Sequence, residues 1–192
     1  MDVMLDLETL GKKPGCVVLS IGAVAFEPLA KDLPKPENTG LVFYQNITIF
    51  DQLLLGLVVD ESTLDWWKSQ SEEAKRALTT DKMNLQGSLF RLVTWFGNLP
   101  GKTKGKVWAK SPDFDCAVLE EAARRVGVNL PWEYRDKADC RTLAYVGTLS
   151  NRIAGEPPPP PYGTAHNALD DCYTQAAQVQ YEMGRLSNGQ AS

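Results

Sequence analysis

Two acidic residues stand one position apart in an apolar segment near the N-terminus, which reads DVMLDLETLG from position 2. If this segment is a strand, Asp6 and Glu8 point to the same face, because side chains alternate across a strand. Two neighbouring carboxylates repel each other unless a cation lies between them or one is protonated. Hard oxygen ligands select Mg²⁺ or Mn²⁺. The pair indicates a divalent metal site, although two solvated acids at a strand end would give the same pattern.

Two further groups of polar residues follow later in the chain. The segment SPDFDCAVL carries Asp113 and Asp115, where acids in a first helical turn would also complement the helix dipole. The segment HNALDD contains His166, the only histidine of the sequence, and Asp171. On an ideal helix this five-residue separation is a rotation of about 140°, so both residues face one cleft only if His166 precedes the helix. A structural role for a single histidine at a helix start remains the alternative.

Taken together, the three segments resemble the motifs of the DnaQ-like exonucleases, the DEDD superfamily, in its histidine-containing branch. LDLETLG resembles the first motif, SPDFDCAVLEEA the second and HNALDD the third, in the order of the family. The stretches VVLSIGAVAF and STLDWW are similar to small single-domain exonucleases of bacteria and phages, including exoribonuclease-like ones. The resemblance implies a ribonuclease H-like fold. It also implies a metal-dependent 3′ to 5′ exonuclease that releases nucleoside 5′-monophosphates from single-stranded RNA or DNA.

The resemblance also assigns roles to individual residues. It implies that two ions, Mg²⁺ or Mn²⁺, are held by four carboxylates, those of Asp6, Glu8, Asp115 and Asp171. His166 would complete the catalytic set as the general base that takes a proton from the attacking water. Asp113 and Asp170 stay open as replacements for the acids beside them. The residues implied to bind substrate are Thr9, Leu10, Trp66 and Trp67.

The two tryptophans are adjacent, so on a helix their side chains point about 100° apart and cannot both enter one core. One of them is therefore available to stack on a terminal base, an interaction that tolerates any sequence. Plain packing is the alternative for both.

The elements that must position these groups follow from hydrophobic periodicity. The segments DVMLDL, CVVLSIGAVAF and GLVFYQNITI predict strands separated by turn residues. Apolar residues three and four apart predict helical structure over 60–78 and 84–99. KVWAK predicts a short strand, followed by a helix opened by Ser111 with Pro112 at its first position. A last strand running into a helix is predicted around 137–147, and a long final helix from HNALDD onward. This order predicts an α/β fold whose mixed central sheet, antiparallel first and parallel later, is flanked by helices.

Composition limits the class of protein. With 192 residues, 43% of them hydrophobic, we expect a single exonuclease domain over 1–186 and a flexible C-terminal tail over 187–192. No apolar segment approaches the roughly 20 residues of a membrane span, and no basic stretch precedes an apolar run, so a cytoplasmic protein is predicted. Four cysteines without a CxxC pair predict neither a disulfide framework nor a thiolate zinc site.

The net charge of −4 argues against a protein that coats long duplexes, because such binding rests on many Lys and Arg contacts. A metal-loaded acidic site that grips a few nucleotides at a chain end is compatible with it. Two alternatives stay open: a hydrolase of short oligonucleotides or dinucleotides, and a catalytically silent nucleic-acid-binding module. The sequence leaves open RNA against DNA, since that choice depends on contacts to the 2′-hydroxyl. A homo-oligomer, a dimer, is implied only by the resemblance.

Overall fold

A computed structural model of the chain describes residues 1–101, 105–149 and 157–188. Six strands form one sheet in the order β4-β3-β2-β1-β5-β6. Their bounds are β1 (Asp2–Thr9), β2 (Val18–Phe26), β3 (Val42–Ile47), β4 (Lys82–Met83), β5 (Val107–Ala109) and β6 (Lys137–Asp139). The pairs β1–β2 and β2–β3 are antiparallel, whereas β3–β4, β1–β5 and β5–β6 are parallel. The predicted mixed sheet, antiparallel first and parallel later, is confirmed.

Helices flank this sheet. They are α1 (Phe50–Leu54), α2 (Glu61–Lys68), α3 (Glu72–Ala77), α4 (Leu85–Gly97), α5 (Asp115–Val126), α6 (Cys140–Leu149) and α7 (Ala168–Asn188). The helical pattern predicted over 60–78 is interrupted, because Ser71 caps a new helix by accepting a hydrogen bond from the backbone N–H of Ala74 at 3.1 Å. The prediction of a strand running into a helix is confirmed by β6 and α6.

The predicted start of α5 is wrong by a few residues. The helix begins at Asp115, and the side chain of Ser111 does not cap it. Instead the Ser111 carbonyl accepts hydrogen bonds from the backbone N–H groups of Phe114 and Asp115, at 2.9 and 3.1 Å. Residues 112–114 therefore form a turn ahead of the helix, and Asp115 stands at its first position.

The two faces of the sheet carry two separate hydrophobic clusters. The larger cluster contains Val3, Leu5 and Leu7 of β1 and the buried apolar residues of α4 and α5. The smaller cluster contains Met4 of β1 together with residues of α7 such as Cys172 and Val179. All four cysteines are buried and free.

Helix α7 closes the second face by packing across β1 and β2. It continues through Asn188, two residues into the predicted tail, and residues 189–192 lie outside the described residues. Among the helices within the described ranges, none combines the length and apolar character needed to cross a bilayer.

Candidate active site

Strand β1 carries Asp6 and Glu8 on the face covered by α7. In the register of the β1–β2 pair, Asp6 lies opposite Gly22 and Glu8 lies opposite Ser20. A side chain at Gly22 would collide with the backbone of Ala168 and Leu169. Glycine therefore lets the start of α7 approach the sheet directly. As a result, the first turn of α7 lies next to the two acids.

The segment before α7 positions His166 and Asp171. The side chain of Asn167 accepts a hydrogen bond from the backbone N–H of Leu169 at 3.0 Å, so the helix begins after it. His166 precedes the helix with φ of 64°, in the left-handed region. Its backbone N–H donates to Asp171 Oδ2 at 3.0 Å. This is the predicted arrangement, with the histidine before the helix and the acid in its first turns.

These side chains converge with Glu8. Potential ligand atoms of Glu8, His166 and Asp171 all lie within 4.8 Å of one another. Glu8 is buried even though it is ionisable, with only 6% of its surface exposed. Buried acids of this kind are rare unless a partner compensates their charge.

The other two acids are tied to β1 and α7 by hydrogen bonds. Asp115 is 3% exposed, and its Oδ1 accepts from the backbone N–H of Leu7 at 3.3 Å. Asp6 Oδ1 accepts from Gln175 Nε2 of α7 at 2.7 Å. Helix α5 therefore presents Asp115 to β1, and Gln175 of α7 contacts the same strand.

Burial raises the pKa of all four acids, and repulsion from the neighbouring carboxylates adds to this effect for Asp6 and Glu8. Burial, followed by the charges of Asp115 and Glu8, raises the pKa of Asp6 well above its ordinary value. Burial and then the charges of Asp171 and Asp115 raise the pKa of Glu8 to about 8. Burial raises the pKa of Asp115 to about 7, although the Leu7 N–H opposes it. The pKa of Asp171 is also raised by burial, against the hydrogen bond from His166.

This donor set suits a hard divalent cation. Carboxylate oxygens are the ligands that Mg²⁺ and Mn²⁺ prefer, and a positive charge among these acids would offset both their burial and the repulsion between Asp6, Glu8 and their neighbours. The arrangement can therefore bind a cation and place an imidazole beside it.

The neighbouring acids, Asp113 and Asp170, occupy different surroundings. Asp113 is exposed in the turn before α5. Asp170 Oδ2 accepts a hydrogen bond from the backbone N–H of Thr164 at 2.8 Å, so this carboxylate secures the loop before α7. The structure brings Asp115 and Asp171 toward β1 rather than these two residues.

A cavity of about 310 Å³ opens beside Glu8. It is lined by Leu7, Glu8, Thr9, Gly11, Lys12, Thr63, Trp66 and Phe114. Trp66 is 41% exposed, and its ring meets the His166 ring edge-on with centroids 4.7 Å apart. The cavity therefore has an aromatic wall that also contacts the imidazole.

Of the other residues expected to bind substrate, one lines the cavity and two do not. Thr9 lines the cavity, and its hydroxyl donates to the carbonyl of Gly11 at 2.7 Å. Trp67 is buried, and its Nε1 donates to the Thr9 carbonyl at 3.0 Å, so its ring supports the cavity from behind. Leu10 is 5% exposed within the larger hydrophobic cluster and does not line the cavity.

Gln175 and Gly22 are among the residues of this site that sequence reasoning missed. Gln175 contacts Asp6, and the available signal was its position one helical turn after Asp171. Gly22 lies under α7, and the signal was a glycine inside an otherwise apolar strand, which often marks a close backbone approach.

Comparison with known proteins adds independent information. Residues 1–183 match the family model described as the 3′-5′ exoribonuclease Rv2179c-like domain. An exodeoxyribonuclease of Enterobacteria phage T4 is 24% identical over 219 residues, which cover 95% of this chain and 88% of the relative.

Two solved structures share the fold. The crystal structure of cell-death related nuclease 4 (CRN-4) aligns with a TM-score of 0.68 at 14% identity, over 96% of this chain, and this chain spans 64% of that nuclease. The nuclease domain of 3′hExo, a DEDDh family member bound to rAMP, aligns with a TM-score of 0.59 at 10% identity, over 96% of this chain and 92% of that domain. These likenesses confirm the predicted ribonuclease H-like fold.

Proposed function

Because the chain belongs to the 3′-5′ exoribonuclease Rv2179c-like domain family, and is therefore a 3′ to 5′ exonuclease acting on nucleic acid, we propose that it degrades single-stranded RNA from the 3′ end. The product would be nucleoside 5′-monophosphates. The observation that carries this proposal is the convergence of Glu8, His166 and Asp171 within 4.8 Å, next to Asp6 and Asp115. Divalent metal ions are implied by the family, and this cluster suits them.

In the proposed site, the ions are two Mg²⁺ or Mn²⁺ held by four carboxylates, those of Asp6, Glu8, Asp115 and Asp171. The chemistry that two such ions supply when bound is activation of the attacking water and stabilisation of the leaving 3′ oxygen. The protein contributes a rigid arrangement of ligands, because two of them stand on β1 and the others in the first turns of α5 and α7.

His166 acts in this proposal as the general base. An imidazole nitrogen takes the proton of the attacking water, a role that histidine fills most often among side chains. Two contacts hold the residue in place: its backbone N–H bonds Asp171, and its ring meets the edge of Trp66. Both contacts support a fixed approach of the imidazole to the acids.

The cavity beside Glu8 would receive the terminal nucleotide. Trp66 offers an exposed aromatic face for stacking, and Lys12 on the same wall offers a cation for a phosphate. Thr9 would contact the nucleotide where β1 ends. Leu10 and Trp67 would act behind this surface by holding Thr9 in position.

The choice of RNA rests on the family description, whereas the phage T4 relative is named for DNA. The test is a gel time course with single-stranded RNA and DNA of matched sequence, labelled at the 5′ end, with Mg²⁺, with Mn²⁺ and with EDTA. We expect a metal-dependent ladder that shortens from the 3′ end, faster with RNA. Faster loss of DNA would overturn the RNA assignment, and intact substrate in every lane would support a silent binding module.

A length series addresses the small-substrate alternative. The rate of hydrolysis per 3′ end should stay level or rise from dinucleotides to 20-mers, because the protein is proposed to bind longer strands. A steep fall in rate with length would instead identify a hydrolase of short oligonucleotides.

We further propose a homodimer. Helix α1 presents large apolar side chains to solvent, with Phe50 73% and Leu54 74% exposed. Exposed apolar surface of this kind favours association. Light scattering of the purified protein should give twice the mass of one chain, and a single-chain mass would overturn this proposal.

A further inference from the structure

Gln175 occupies an unusual position on α7. It lies one helical turn after Asp171 and is 6% exposed. Its Nε2 donates to Asp6 Oδ1 at 2.7 Å, whereas its Oε1 is buried and has no hydrogen-bond partner in the described structure. Neighbouring positions on the same helix, such as Cys172 and Val179, fill the interface with apolar groups.

An amide is a costly choice for packing alone. Burying a carbonyl oxygen without a donor costs free energy of desolvation, and an apolar side chain of similar size would avoid this cost. The amide therefore serves its one strong contact, the hydrogen bond to Asp6. Gln175 is also uncharged, so it can hold a carboxylate without neutralising it, as a lysine or arginine would.

The hydrogen bond occupies one oxygen of Asp6. No described residue donates to the other oxygen, Oδ2. The carboxylate is thus held by one oxygen, while the second one remains available to a cation. Asp171 and Gln175 share a face of α7, so the same helix supplies one acid and fixes the orientation of another.

We propose that Gln175 is a positioning residue for the metal site: its amide fixes the Asp6 carboxylate so that Oδ2 serves as a ligand for a divalent cation. This inference rests on the proposed function, because it presupposes that Asp6 is a metal ligand. Residues that orient metal ligands typically contribute about 10–100-fold to metal affinity.

The test measures Mn²⁺ binding by isothermal titration calorimetry, in the wild-type protein and in Gln175→Met. Methionine has a similar volume and no hydrogen-bond donor. We expect the Mn²⁺ affinity to fall about 10–100-fold. The matched control is Gln180→Met, on the same helix, where Nε2 donates to the Glu27 carbonyl at 3.0 Å, far along α7 from the acids. Its Mn²⁺ affinity should equal that of the wild type.

A second variant separates positioning from packing. Gln175→Asn keeps the amide but shortens the side chain, so its amide no longer reaches Asp6 and its Mn²⁺ affinity should also fall. Thermal unfolding without metal shows the temperature range in which each variant is folded. Full Mn²⁺ affinity in folded Gln175→Met or Gln175→Asn would overturn the inference. Failure of the wild-type protein to bind Mn²⁺ would instead overturn the proposed function on which the inference rests.

Discussion

Along β1, the residues that face α4 and α5 are apolar, whereas those that face α7 include two acids. Leu5 is 1% exposed and Glu8 is 6% exposed, so the two faces exclude solvent to a similar degree. Burial of Leu5 contributes favourable transfer free energy. Burial of Glu8 raises its pKa to about 8, which is a cost to the metal-free fold. The comparison teaches that the face toward α4 and α5 is purely apolar between Val3 and Leu7, whereas the face toward α7 combines a smaller hydrophobic cluster with acids whose burial is unfavourable.

The largest effect that we expect concerns the candidate active site, on the face of the sheet covered by α7. His166→Ala should lower kcat for RNA about 10²–10⁴-fold, the usual contribution of a general base. The temperature of unfolding should change little, because the His166 backbone N–H, which bonds Asp171, is retained. Steady-state kinetics and thermal unfolding of one protein preparation check both statements. A kcat within threefold of the wild type would remove His166 from the mechanism.

The next largest effect concerns the face of the sheet that packs against α4 and α5. Leu5→Ala should lower the free energy of unfolding by about 2–5 kcal/mol, because it leaves a cavity in the larger hydrophobic cluster. Urea unfolding measures this loss, and kcat below the transition should stay near that of the wild type. Leu29→Ala is the control, since Leu29 is 66% exposed and should change stability by less than about 0.5 kcal/mol. A large loss of kcat in a folded Leu5→Ala protein would mean that the two faces are not separable.

Most substitutions of buried residues lower the free energy of unfolding, but removal of one buried acid from the metal-free protein should raise it. Glu8→Gln removes a proposed metal ligand, and yet it should raise the free energy of unfolding of the metal-free protein at pH 8, by on the order of 2 kcal/mol. The folded pKa of Glu8 is about 8 against an ordinary 4.5, so the folded state binds more protons between these values. The wild-type protein in EDTA should therefore lose stability as pH rises from about 4.5 to about 8.

Urea unfolding in EDTA at pH 5 and pH 8 measures this dependence in both proteins. Glu8→Gln should show a weaker decline than the wild type, and Asp115, whose pKa is about 7, accounts for part of the decline that remains. Equal pH profiles for the two proteins would show that Glu8 does not carry the cost assigned to it.

The smallest effect concerns the cavity rim. Trp66→Ala should raise KM for RNA about fivefold, toward the lower end of the stacking contribution of about 1–3 kcal/mol per base, because Trp66 is partly exposed. The control is Tyr134→Ala, an aromatic residue that is 80% exposed beside β6, an edge strand of the sheet, and that does not line the cavity. Equal KM values for Trp66→Ala and the wild type would contradict a stacking role.

Hydrophobic periodicity and motif spacing were sufficient to predict much of this architecture from the sequence. The strands β1, β2 and β3 and the position of His166 before α7 follow from local patterns, because alternation and helix starts are encoded in neighbouring residues. Strand β4 was not predicted, since two residues carry no period. The start of α5 was predicted too early, because the Ser111 carbonyl rather than its side chain organises the turn.

The site was only partly accessible from the sequence. Spacing could nominate Asp115 and Asp113 equally, and burial distinguishes them only once α5 is packed on β1. The contact between Trp66 and His166 joins residues 100 positions apart, and no local rule predicts such a contact. Whether the nominated acids bind metal stays a prediction for the experiments above.

The collision that any side chain at Gly22 would cause with the start of α7 has a consequence for mutational scanning. Gly22 lies opposite Asp6 on the neighbouring strand and is not expected to touch substrate. Even alanine at Gly22 must displace the helix that carries Asp171 and Gln175. In a library of variants screened for nuclease activity, substitutions of Gly22 should therefore lower activity as substitutions of the acids do. A parallel screen for protein abundance should separate them, because substitutions of the acids leave the backbone in place whereas every substitution of Gly22 disturbs it.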